Sequence, residues 1–250
     1  MKLSVITVCY NSEKYLKDCI KSVNIQKLDD IEHIFIDGNS SDCTLEIIKK
    51  TSKRKPVLIS EPDNGIYDAM NKGLKHAQGE LICFLNSDDF FASDDALTVI
   101  FDAFKKSNKQ VIWGDVNVVN QKNTSQVLRQ ARRGILYKKD ILAGTIPPHP
   151  SFFISKSILN AIGQYDLKYE VASDFDFMKR SLMHVKYDGL YVNKLTTLMR
   201  SGGLTNSSFS TILKGNLEII DSLMSTYKEF NLLKFIFFRP IRMFWEKLFK

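Results

Sequence analysis

Two neighbouring carboxylates, Asp88 and Asp89, follow a run of five apolar residues from Leu81 to Leu85. A short continuous apolar run that ends in turn-forming residues indicates a strand buried on both faces, as in a parallel sheet covered by helices. In such sheets ligands bind beyond the carboxyl ends of the strands. Adjacent carboxylates repel each other unless a cation lies beside them, and divalent cations with oxygen ligands also hold substrate phosphates. The pair therefore indicates either such a metal site or a solvated turn that caps a helix beginning near Ser93.

Alternating strands and helices place further polar residues near this pair. Strands are predicted at Leu3 to Cys9, Ile31 to Ile36, Val57 to Ser60 and Leu81 to Leu85. The intervening helices begin near Asn11 or Ser12, near Thr44 and near Tyr67. This order is typical of βαβ units and a parallel sheet, and right-handed crossovers bring all the loops that follow the strands to one edge. The side chains that we expect to converge there are those of Thr7, Asn11, Asp37, Glu61, Asp63 and Asp88.

The second half of the chain is predicted to contain more varied elements. A helix from about Ala96 to Phe104 precedes a strand from Val111 to Val119, and the basic stretch 120–133 is a surface hairpin or a mobile loop. The later elements expected are a helix from about Ser155 to Ile162, a helix capped by Ser173 or Asp174, two short strands near 187–192 and 195–199, and a helical region to about Tyr227. Strands and helices in this mixture indicate an α/β fold.

Composition and charge restrict the class of protein. The 250 residues are 44% hydrophobic and 25% charged, as is ordinary for a globular protein with a real core. Of the formal net charge of +7, five cations and one anion in residues 231–250 contribute +4, which leaves +3 for the other 230 residues. This balance argues against a nucleic-acid surface over the whole fold. Four cysteines without C-x-x-C spacing favour a reduced cytosolic protein, and we expect neither a signal sequence nor a membrane-spanning helix.

Five short motifs occur in order over roughly residues 1–205. They are Thr7-Val8-Cys9-Tyr10-Asn11, the loop from Asp37 to Thr44, the stretch from Asp63 to Gly73, Asn86-Ser87-Asp88-Asp89, and Ala172-Ser173-Asp174. The set resembles the family 2 glycosyltransferases, which are inverting enzymes, and in particular their bacterial cell-surface polysaccharide branch. The resemblance implies the GT-A fold over residues 1–205, a Rossmann-like nucleotide-sugar-binding α/β domain with a mixed, mainly parallel sheet and helices on both faces. Residues 206–250 would then form a C-terminal helical extension.

The same resemblance implies a site for a nucleotide-sugar donor, with a UDP-sugar expected and GDP or dTDP left open. Asp88 and Asp89 would hold Mn²⁺ or Mg²⁺, and which of the two is the direct ligand stays open. Asp37 would hydrogen-bond the nucleotide base, with Thr7 and Glu61 lining the same pocket. The other substrate-binding residues assigned by the matching motifs are Tyr10, Asn11, Asn64 and Lys72, together with Asp88 itself.

Inversion by direct displacement needs one base that takes the proton of the acceptor hydroxyl. The resemblance assigns this role to Asp174, with Asp176 as the weaker candidate and a helix N-cap as the alternative role for Asp174. His149 lies among three prolines, and we expect it to be structural.

Two departures from the family pattern bear on function. Asn86 stands where many relatives have Asp, and the Q-x-x-R-W motif of processive relatives is absent, with Arg200-Ser201-Gly202-Gly203 nearby instead. The second departure favours transfer of a single sugar. Two other hypotheses remain: a non-catalytic nucleotide-sugar-binding protein of the same fold, which Asn86 keeps open, and a sugar nucleotidyltransferase, against which the lack of a glycine-rich phosphate loop speaks.

The last eleven residues have an amphipathic pattern. At helical spacing, one face carries Ile241, Phe244, Trp245, Leu248 and Phe249, and the other carries Arg242, Glu246, Lys247 and Lys250. Aromatic and cationic residues together favour a helix that lies on an anionic membrane, although the apolar face could instead pack on the domain or on a second subunit. We therefore expect a cytoplasmic protein, peripherally attached to the inner face of the cell membrane, that acts on a saccharide or lipid-linked acceptor.

Overall fold

A mixed sheet of nine strands organises the part of the chain that the computed structural model describes, residues 2–54, 56–202, 208–237 and 239. The strands are β1 (Leu3–Cys9), β2 (Ile31–Asp37), β3 (Val57–Ser60), β4 (Leu81–Phe84), β5 (Phe90–Phe91), β6 (Val111–Val119), β7 (Val127–Ala131), β8 (Phe152–Ser155) and β9 (Leu190–Arg200). Their order across the sheet is β3-β2-β1-β4-β8-β6-β9-β5, with β7 paired to β6.

Helices connect these strands. They are α1 (Leu16–Asn24), α2 (Thr44–Thr51), α3 (Ile66–His76), α4 (Ala96–Ser107), α5 (Lys138–Leu142), α6 (Lys156–Ile162), α7 (Ser173–His184) and α8 (Phe209–Met224). A 3₁₀ turn spans His149–Ser151, and residues 232–237 are helical.

Parallel pairing in the first half of the chain fixes the edge at which the loops meet. β2 and β4 flank β1 in parallel, and β3 pairs with β2 in parallel. Cys9 is in register with Asp37, and Asp37 with Ser60, so three strands end side by side. The loops that follow β1 to β4, here called the strand-end loops, comprise residues 10–15, 38–43, 61–65 and 85–89.

Alternating side chains of β1 and β2 enter two different cores, which is why both faces of the sheet are covered. Ile6 and Ile36 pack with Leu74 of α3 and with residues of α6 and α7. Leu3 and Phe35 lie on the other face, with residues of α1, α2 and α4. Complete burial of each such side chain stabilises the fold by about 1.5–3 kcal/mol. The expected α/β sheet with helices on both faces is confirmed.

The C-terminal part packs onto α7. Phe175 of α7 forms a third core with Leu223, Tyr227 and Phe235. The amphipathic face predicted for residues 241–250 lies outside the described residues. Within the described ranges no helix has the length and apolar character needed to cross a membrane.

Several expected elements need correction. The two short strands predicted near 187–192 and 195–199 are one continuous strand, β9. Its pairing with β6 is irregular around Asp115, where Asn193 and Lys194 lie between the paired residues of β9. α5 and β5 were not expected, because five and two residues are too few to show a period. α1 begins at Leu16 without a side-chain cap, later than predicted. The stretch 120–133 is a surface hairpin, in which β7 pairs antiparallel with β6.

Candidate active site

The loops after β1 and β2 form one hydrogen-bonded unit. Asn11 adopts a left-handed backbone conformation, with φ of 46°, that asparagine tolerates better than most residues. Its Oδ1 accepts from the backbone N–H of Ser41 at 2.9 Å, and its own N–H donates to Ser40 Oγ at 2.9 Å. Glu13 links the same loops, since its carboxylate accepts from the N–H of Cys43 at 3.0 Å. Asn11 therefore acts here as a brace between loops.

Asp37 lies at the end of β2 and is fully buried. One carboxylate oxygen accepts from the Ser40 N–H at 3.0 Å and from Ser60 Oγ at 2.7 Å, and the other accepts from Ser40 Oγ. A carboxylate offers about four acceptor positions, so one is left for a ligand. Beside it, a Cβ at Gly38 would lie 2.4 Å from Oδ2 of Asp63 and 3.4 Å from the Tyr10 ring, so a larger residue there would displace the Asp63 side chain. The Tyr10 side chain is 69% exposed.

The structure does not bring the Thr7 side chain to this cluster, contrary to the expectation from sequence. Thr7 is fully buried, and its hydroxyl lies 2.9 Å from Nε2 of His33 and 3.8 Å from the Cys19 sulfur. The direction follows from the strand period, since Thr7 shares a face of β1 with Val5 and Cys9, which pack toward α1. Burial lowers the pKa of His33 to about 3, so this imidazole is neutral.

Lys72 of α3 ties the loop after β3 to the helix that follows it. Its Nζ lies 2.9 Å from Glu61 Oε1 and 3.7 Å from Asp68 Oδ2, and it donates to the Pro62 carbonyl at 2.6 Å. The hydrogen bond with Glu61 raises the pKa of Lys72. Asn64 is exposed, and its backbone N–H donates to Asp68 Oδ2 at 3.0 Å. Three predicted substrate-binding residues, Glu61, Asn64 and Lys72, thus lie together.

The two carboxylates after β4 have different environments. Asp89 is 1% exposed, and it accepts from the backbone N–H of Arg200 at 3.0 Å and from Asn86 Nδ2 at 3.2 Å. Asp88 is half-buried, and its carboxylate makes no side-chain hydrogen bond or ion pair within the described ranges. Burial raises the pKa of both groups, and the Asp88 charge raises that of Asp89 further. Asp89 therefore serves the fold, and Asp88 is the carboxylate free to take a ligand.

Arg200 was not identified from sequence as a site residue, yet its side chain lies beneath this acidic turn. The guanidinium is 5% exposed and stacks between the rings of Tyr15 and Phe90, at 4.7 and 4.8 Å from the ring centroids. It donates to the Asp88 carbonyl at 2.6 Å and pairs with Asp18 at 2.7 Å. In the sequence, Arg200 stands near the place where processive relatives have the Q-x-x-R-W motif. The pairing of β9 with β5 in the sheet brings it to Asp88.

A divalent cation fits this arrangement in one specific way. Among the residues that the structure describes, no three His, Cys, Asp or Glu side chains form a group able to hold an ion. Mg²⁺ is commonly bound by one or two carboxylates together with substrate phosphates rather than by a cage made only of protein. Within the described residues the half-buried Asp88 carboxylate has no side-chain hydrogen bond or ion pair, and it suits an ion of that kind because a positive charge beside a carboxylate favours its ionised form.

Asp174 lies in the first turn of α7 and is half-buried. Its Oδ1 accepts from the Phe175 N–H at 2.7 Å and lies 3.3 Å from the Tyr67 hydroxyl. The other oxygen makes no hydrogen bond within the described part of the chain. Neither Ser173 nor Asp174 is the N-cap, contrary to the prediction, because the cap position is occupied by Ala172, which offers no side-chain acceptor.

An aromatic cluster connects Asp174 to the end of β4. His149 Nε2 lies 2.8 Å from the Tyr165 hydroxyl, and the His149 ring stacks on Phe84 with centroids 5.5 Å apart. Phe84 is the last residue of the strand that precedes Asp88. Burial lowers the pKa of His149, while the Asp174 charge opposes this effect, so the two groups interact. His149 thus joins Phe84, at the end of β4, to Tyr165.

Asp176, the weaker candidate for the base, is used in the fold. It is buried, lies 3.0 Å from Lys179 Nζ, and accepts from Arg180 Nε at 2.7 Å and from Ser222 Oγ at 2.8 Å. The hydrogen bond from Arg180, with the Lys179 charge, lowers its pKa against the opposing effect of burial. Two cations therefore hold Asp176 in its ionised form inside the fold, which argues against it as the group that takes a substrate proton.

Comparison with known proteins identifies the fold and the family. A family model described as Glycosyl transferase family 2 matches residues 4–163. An uncharacterized glycosyltransferase of Mycobacterium tuberculosis is 33% identical over 185 residues, which are 72% of this chain and 69% of the relative. Both findings confirm the family expected from the ordered motifs.

Two solved structures have a similar backbone. TarS 1-349 of S. aureus in complex with UDP-GlcNAc has a TM-score of 0.65 at 18% identity, covering 94% of this chain and 77% of that one. The mannosyltransferase PcManGT of Pyrobaculum calidifontis, in complex with GDP-Man and Mn²⁺, has a TM-score of 0.67 at 14% identity, covering 91% and 65%. Likeness at these identities confirms the predicted GT-A fold.

Proposed function

The chain belongs to glycosyl transferase family 2, and we propose that it moves one sugar from a nucleotide-sugar donor to a hydroxyl of a saccharide or lipid-linked acceptor, with inversion, in polysaccharide biosynthesis. The observation that carries the proposal is the Asp88 carboxylate, which is half-buried, makes no side-chain hydrogen bond or ion pair with any described residue, and follows β4 at the edge where Asp37 also lies. A carboxylate kept in this state suits a ligand that brings positive charge.

The donor is a UDP-sugar in this proposal, bound across the strand-end loops. Asp37 accepts a hydrogen bond from the nucleotide base with its remaining acceptor position, and the exposed ring of Tyr10 offers a surface on which the base stacks. Asn64, Glu61 and Lys72 lie at the neighbouring loop and contact the donor from there. Thr7 and Asn11 contribute indirectly, through the core and through the loop brace.

The metal would be Mn²⁺ or Mg²⁺, held by Asp88 and by the diphosphate of the donor. Such an ion, when bound, neutralises the negative charge that develops on the leaving nucleoside diphosphate. Asp89 does not ligate it in this proposal, since its oxygens are engaged by Arg200 and Asn86. Arg200 holds the backbone of the acidic turn through the Asp88 carbonyl.

Asp174 is the base. The oxygen of the acceptor hydroxyl forms its bond to the anomeric carbon as the bond from that carbon to the diphosphate breaks, and the hydroxyl proton passes to the unengaged Asp174 oxygen. Attack opposite to the leaving group inverts the anomeric configuration. Tyr67 steadies the other carboxylate oxygen, and the ring cluster around His149 limits access of water.

The remaining part of the proposal concerns organisation and location. Residues 1–205 form the catalytic domain, and residues 206–250 form an extension that attaches the protein to the inner face of the cell membrane from the cytoplasm. In its described portion, the extension exposes Leu233 and Phe237 at 68% and 69%, which supports an apolar contact on this side of the molecule.

A thermal-shift screen of nucleoside diphosphates with and without Mn²⁺ tests the proposal first. A ligand at 100 times its Kd stabilises the native state by about 2.7 kcal/mol. We expect UDP to raise the melting temperature only with the metal. Product analysis then separates the alternatives: a glycosyltransferase releases nucleoside diphosphate from its donor, whereas a nucleotidyltransferase releases pyrophosphate. Binding without any turnover of a panel of nucleotide sugars would favour the non-catalytic protein.

A further inference from the structure

The segment that leads into α7, residues 165–172, is held by α3 and α8 as well as by α7, where Ser173 Oγ donates to the Asp166 carbonyl at 2.8 Å. Tyr165 is fixed by Asn71 of α3, whose side chain accepts from the Tyr165 N–H at 2.8 Å and donates to its carbonyl at 2.9 Å. The cap residue Ala172 has no acceptor side chain, and within α7 the Phe175 N–H is satisfied by Asp174 itself. The position of Asp174 therefore depends on the hydrogen bonds and packing that hold residues 165–172.

Glu218 of α8 accepts from three backbone N–H groups that precede α7. Its Oε2 accepts from the backbone N–H of Val171 at 2.9 Å and of Ala172 at 2.8 Å, and its Oε1 accepts from that of Glu170 at 3.1 Å. Hydrogen bonds to a carboxylate are stronger than those between neutral groups, and a negative charge near a helix N-terminus is favourable. One side chain of the C-terminal extension thus satisfies three successive backbone donors just before the base.

Both backbone polar groups of Val171 are hydrogen-bonded. Its N–H donates to Glu218, while its carbonyl accepts from the Tyr67 hydroxyl at 2.8 Å, and the same hydroxyl lies 3.3 Å from Asp174. α8 comes close enough for this because Gly215 faces Val171: a Cβ at 215 would lie 3.0 Å from Val171 Cγ1. A shift of Val171 is therefore transmitted to Tyr67 and to Asp174 together.

A buried polar contact keeps α8 in register with α7. Lys179 is 1% exposed and donates to the Ser222 carbonyl, to Ser222 Oγ and to Thr226 Oγ1, each at 2.7 Å. Ser222 lies one helical turn beyond Glu218, on the side of α8 that faces α7. Because buried polar groups must keep their partners, α8 cannot slide along α7 without losing these hydrogen bonds.

We propose that Glu218 is a positioning residue for the transfer reaction: from the C-terminal extension it holds residues 170–172 so that Asp174 meets the acceptor hydroxyl. The extension then serves catalysis as well as attachment. This inference rests on the proposed role of Asp174 as the base.

The test compares Glu218→Gln with a control, Glu229→Gln. Glu229 lies in the same extension, and its substitution removes the same charge from an exposed ion pair with Lys138. The glutamine keeps the size of the side chain but presents an N–H₂ group to backbone donors. We expect kcat for sugar transfer to fall ~10- to 100-fold in Glu218→Gln, because small misplacements of a reacting group cost up to about that much. The donor KM, and the affinity and stoichiometry of UDP with Mn²⁺ by calorimetry, should stay at wild-type values in both variants.

A wild-type kcat in Glu218→Gln would overturn the inference. A merely structural role would lower the stoichiometry of UDP binding together with kcat, and that result would also overturn it. If Glu218→Gln does not fold, Glu218→Asp retains the charge and withdraws the carboxylate by one carbon, and it must reduce kcat with UDP binding intact. Asp174→Asn separates the two proposals: if it transfers sugar at the wild-type rate, the assignment of the base fails, whereas the inference alone fails if Asp174→Asn is inactive and Glu218→Gln is not.

Discussion

The strand-end loops and the segment before α7 are built in different ways. The loops after β1 and β2 brace each other through short-range turns and through Asn11, Glu13 and Ser40, all within the first 43 residues. The segment 165–172 is held by Asn71 and Tyr67, about a hundred residues earlier in the chain, and by Glu218, 46 to 48 residues later.

This difference separates two tasks that the reaction needs. A nucleotide and its metal require a rigid set of ligands, which locally braced loops provide. The base must instead be aligned with an acceptor that binds separately, and its position depends on elements that are far apart in sequence. We therefore expect changes in the strand-end loops to alter donor binding, and changes around α7 to alter turnover at unchanged donor binding.

Asp88→Asn should reduce turnover by about 10³-fold, because an ion that stabilises the leaving group is worth several kcal/mol at about 1.4 kcal/mol per tenfold. The variant should also melt at a higher temperature than wild type at pH 7 in chelator. Burial raises the pKa of Asp88, so the native state binds the proton more tightly than the unfolded chain and the ionised group destabilises the fold above about pH 4.

The gain in stability should fade as pH falls below about 4, where both states are protonated. Melting curves of the two proteins between pH 3 and pH 8 measure this. A variant that melts lower than wild type at pH 7 would show that the Asp88 carboxylate is engaged by the protein, contrary to the account.

Asp174→Asn should reduce transfer by ~10²–10⁴-fold, the usual contribution of a general base. UDP binding with Mn²⁺ should change little, because Asp174 belongs to the other region. Steady-state rates with a fixed donor and a varied acceptor give the effect. Loss of UDP binding in this variant would break the distinction between the two regions.

The sequence predicted the elements that depend on neighbouring residues, and it did not predict contacts between residues far apart in the chain. β1 to β4 and their loops were predicted because each strand is rich in β-branched and other apolar residues and is followed by turn residues. Arg200 and Glu218 were not, since nothing near them in the sequence indicates that they meet Asp88 and Val171. Thr7 was misplaced because its motif matches the family while the pleat of β1 directs its side chain into the core.

Arg200→Met tests a contact between distant parts of the chain within the donor region. The change removes the counter-charge beneath the acidic turn and the hydrogen bond to the Asp88 carbonyl. We expect the Mn²⁺ concentration for half-maximal activity to rise ~10- to 100-fold, as is typical when a residue that orients a metal ligand is lost. Arg129→Met, on the exposed strand β7, is the matched control and should leave the metal dependence unchanged. Equal metal dependence in all three proteins would remove Arg200 from the account.

Deletion of residues 240–250 should have the smallest effect on turnover and a large effect on attachment. The deletion spares Phe235, which is buried in one core with Tyr227. It removes three cations, one anion and six large apolar side chains, which are Ile241, Met243, Phe244, Trp245, Leu248 and Phe249. Cations near an anionic surface contribute about 1 kcal/mol each.

Flotation with anionic vesicles at low and high salt compares the truncated and full chains. The full chain should float, less so at high salt because ions screen the attraction, and the truncated chain should remain in solution. Equal flotation of both would show that the tail is not the anchor. Aggregation of the truncated chain would favour packing of the tail on the protein.

Calorimetry of UDP binding, with Mn²⁺ and with chelator, tests whether Asp88 holds a metal for the donor, and it requires no knowledge of the acceptor. The proteins to compare are wild type, Asp88→Asn and Asp174→Asn. We expect UDP to bind in a metal-dependent way to wild type and to Asp174→Asn, and we expect this binding to be lost in Asp88→Asn. Binding of equal strength in all three proteins, or in chelator, would contradict this expectation.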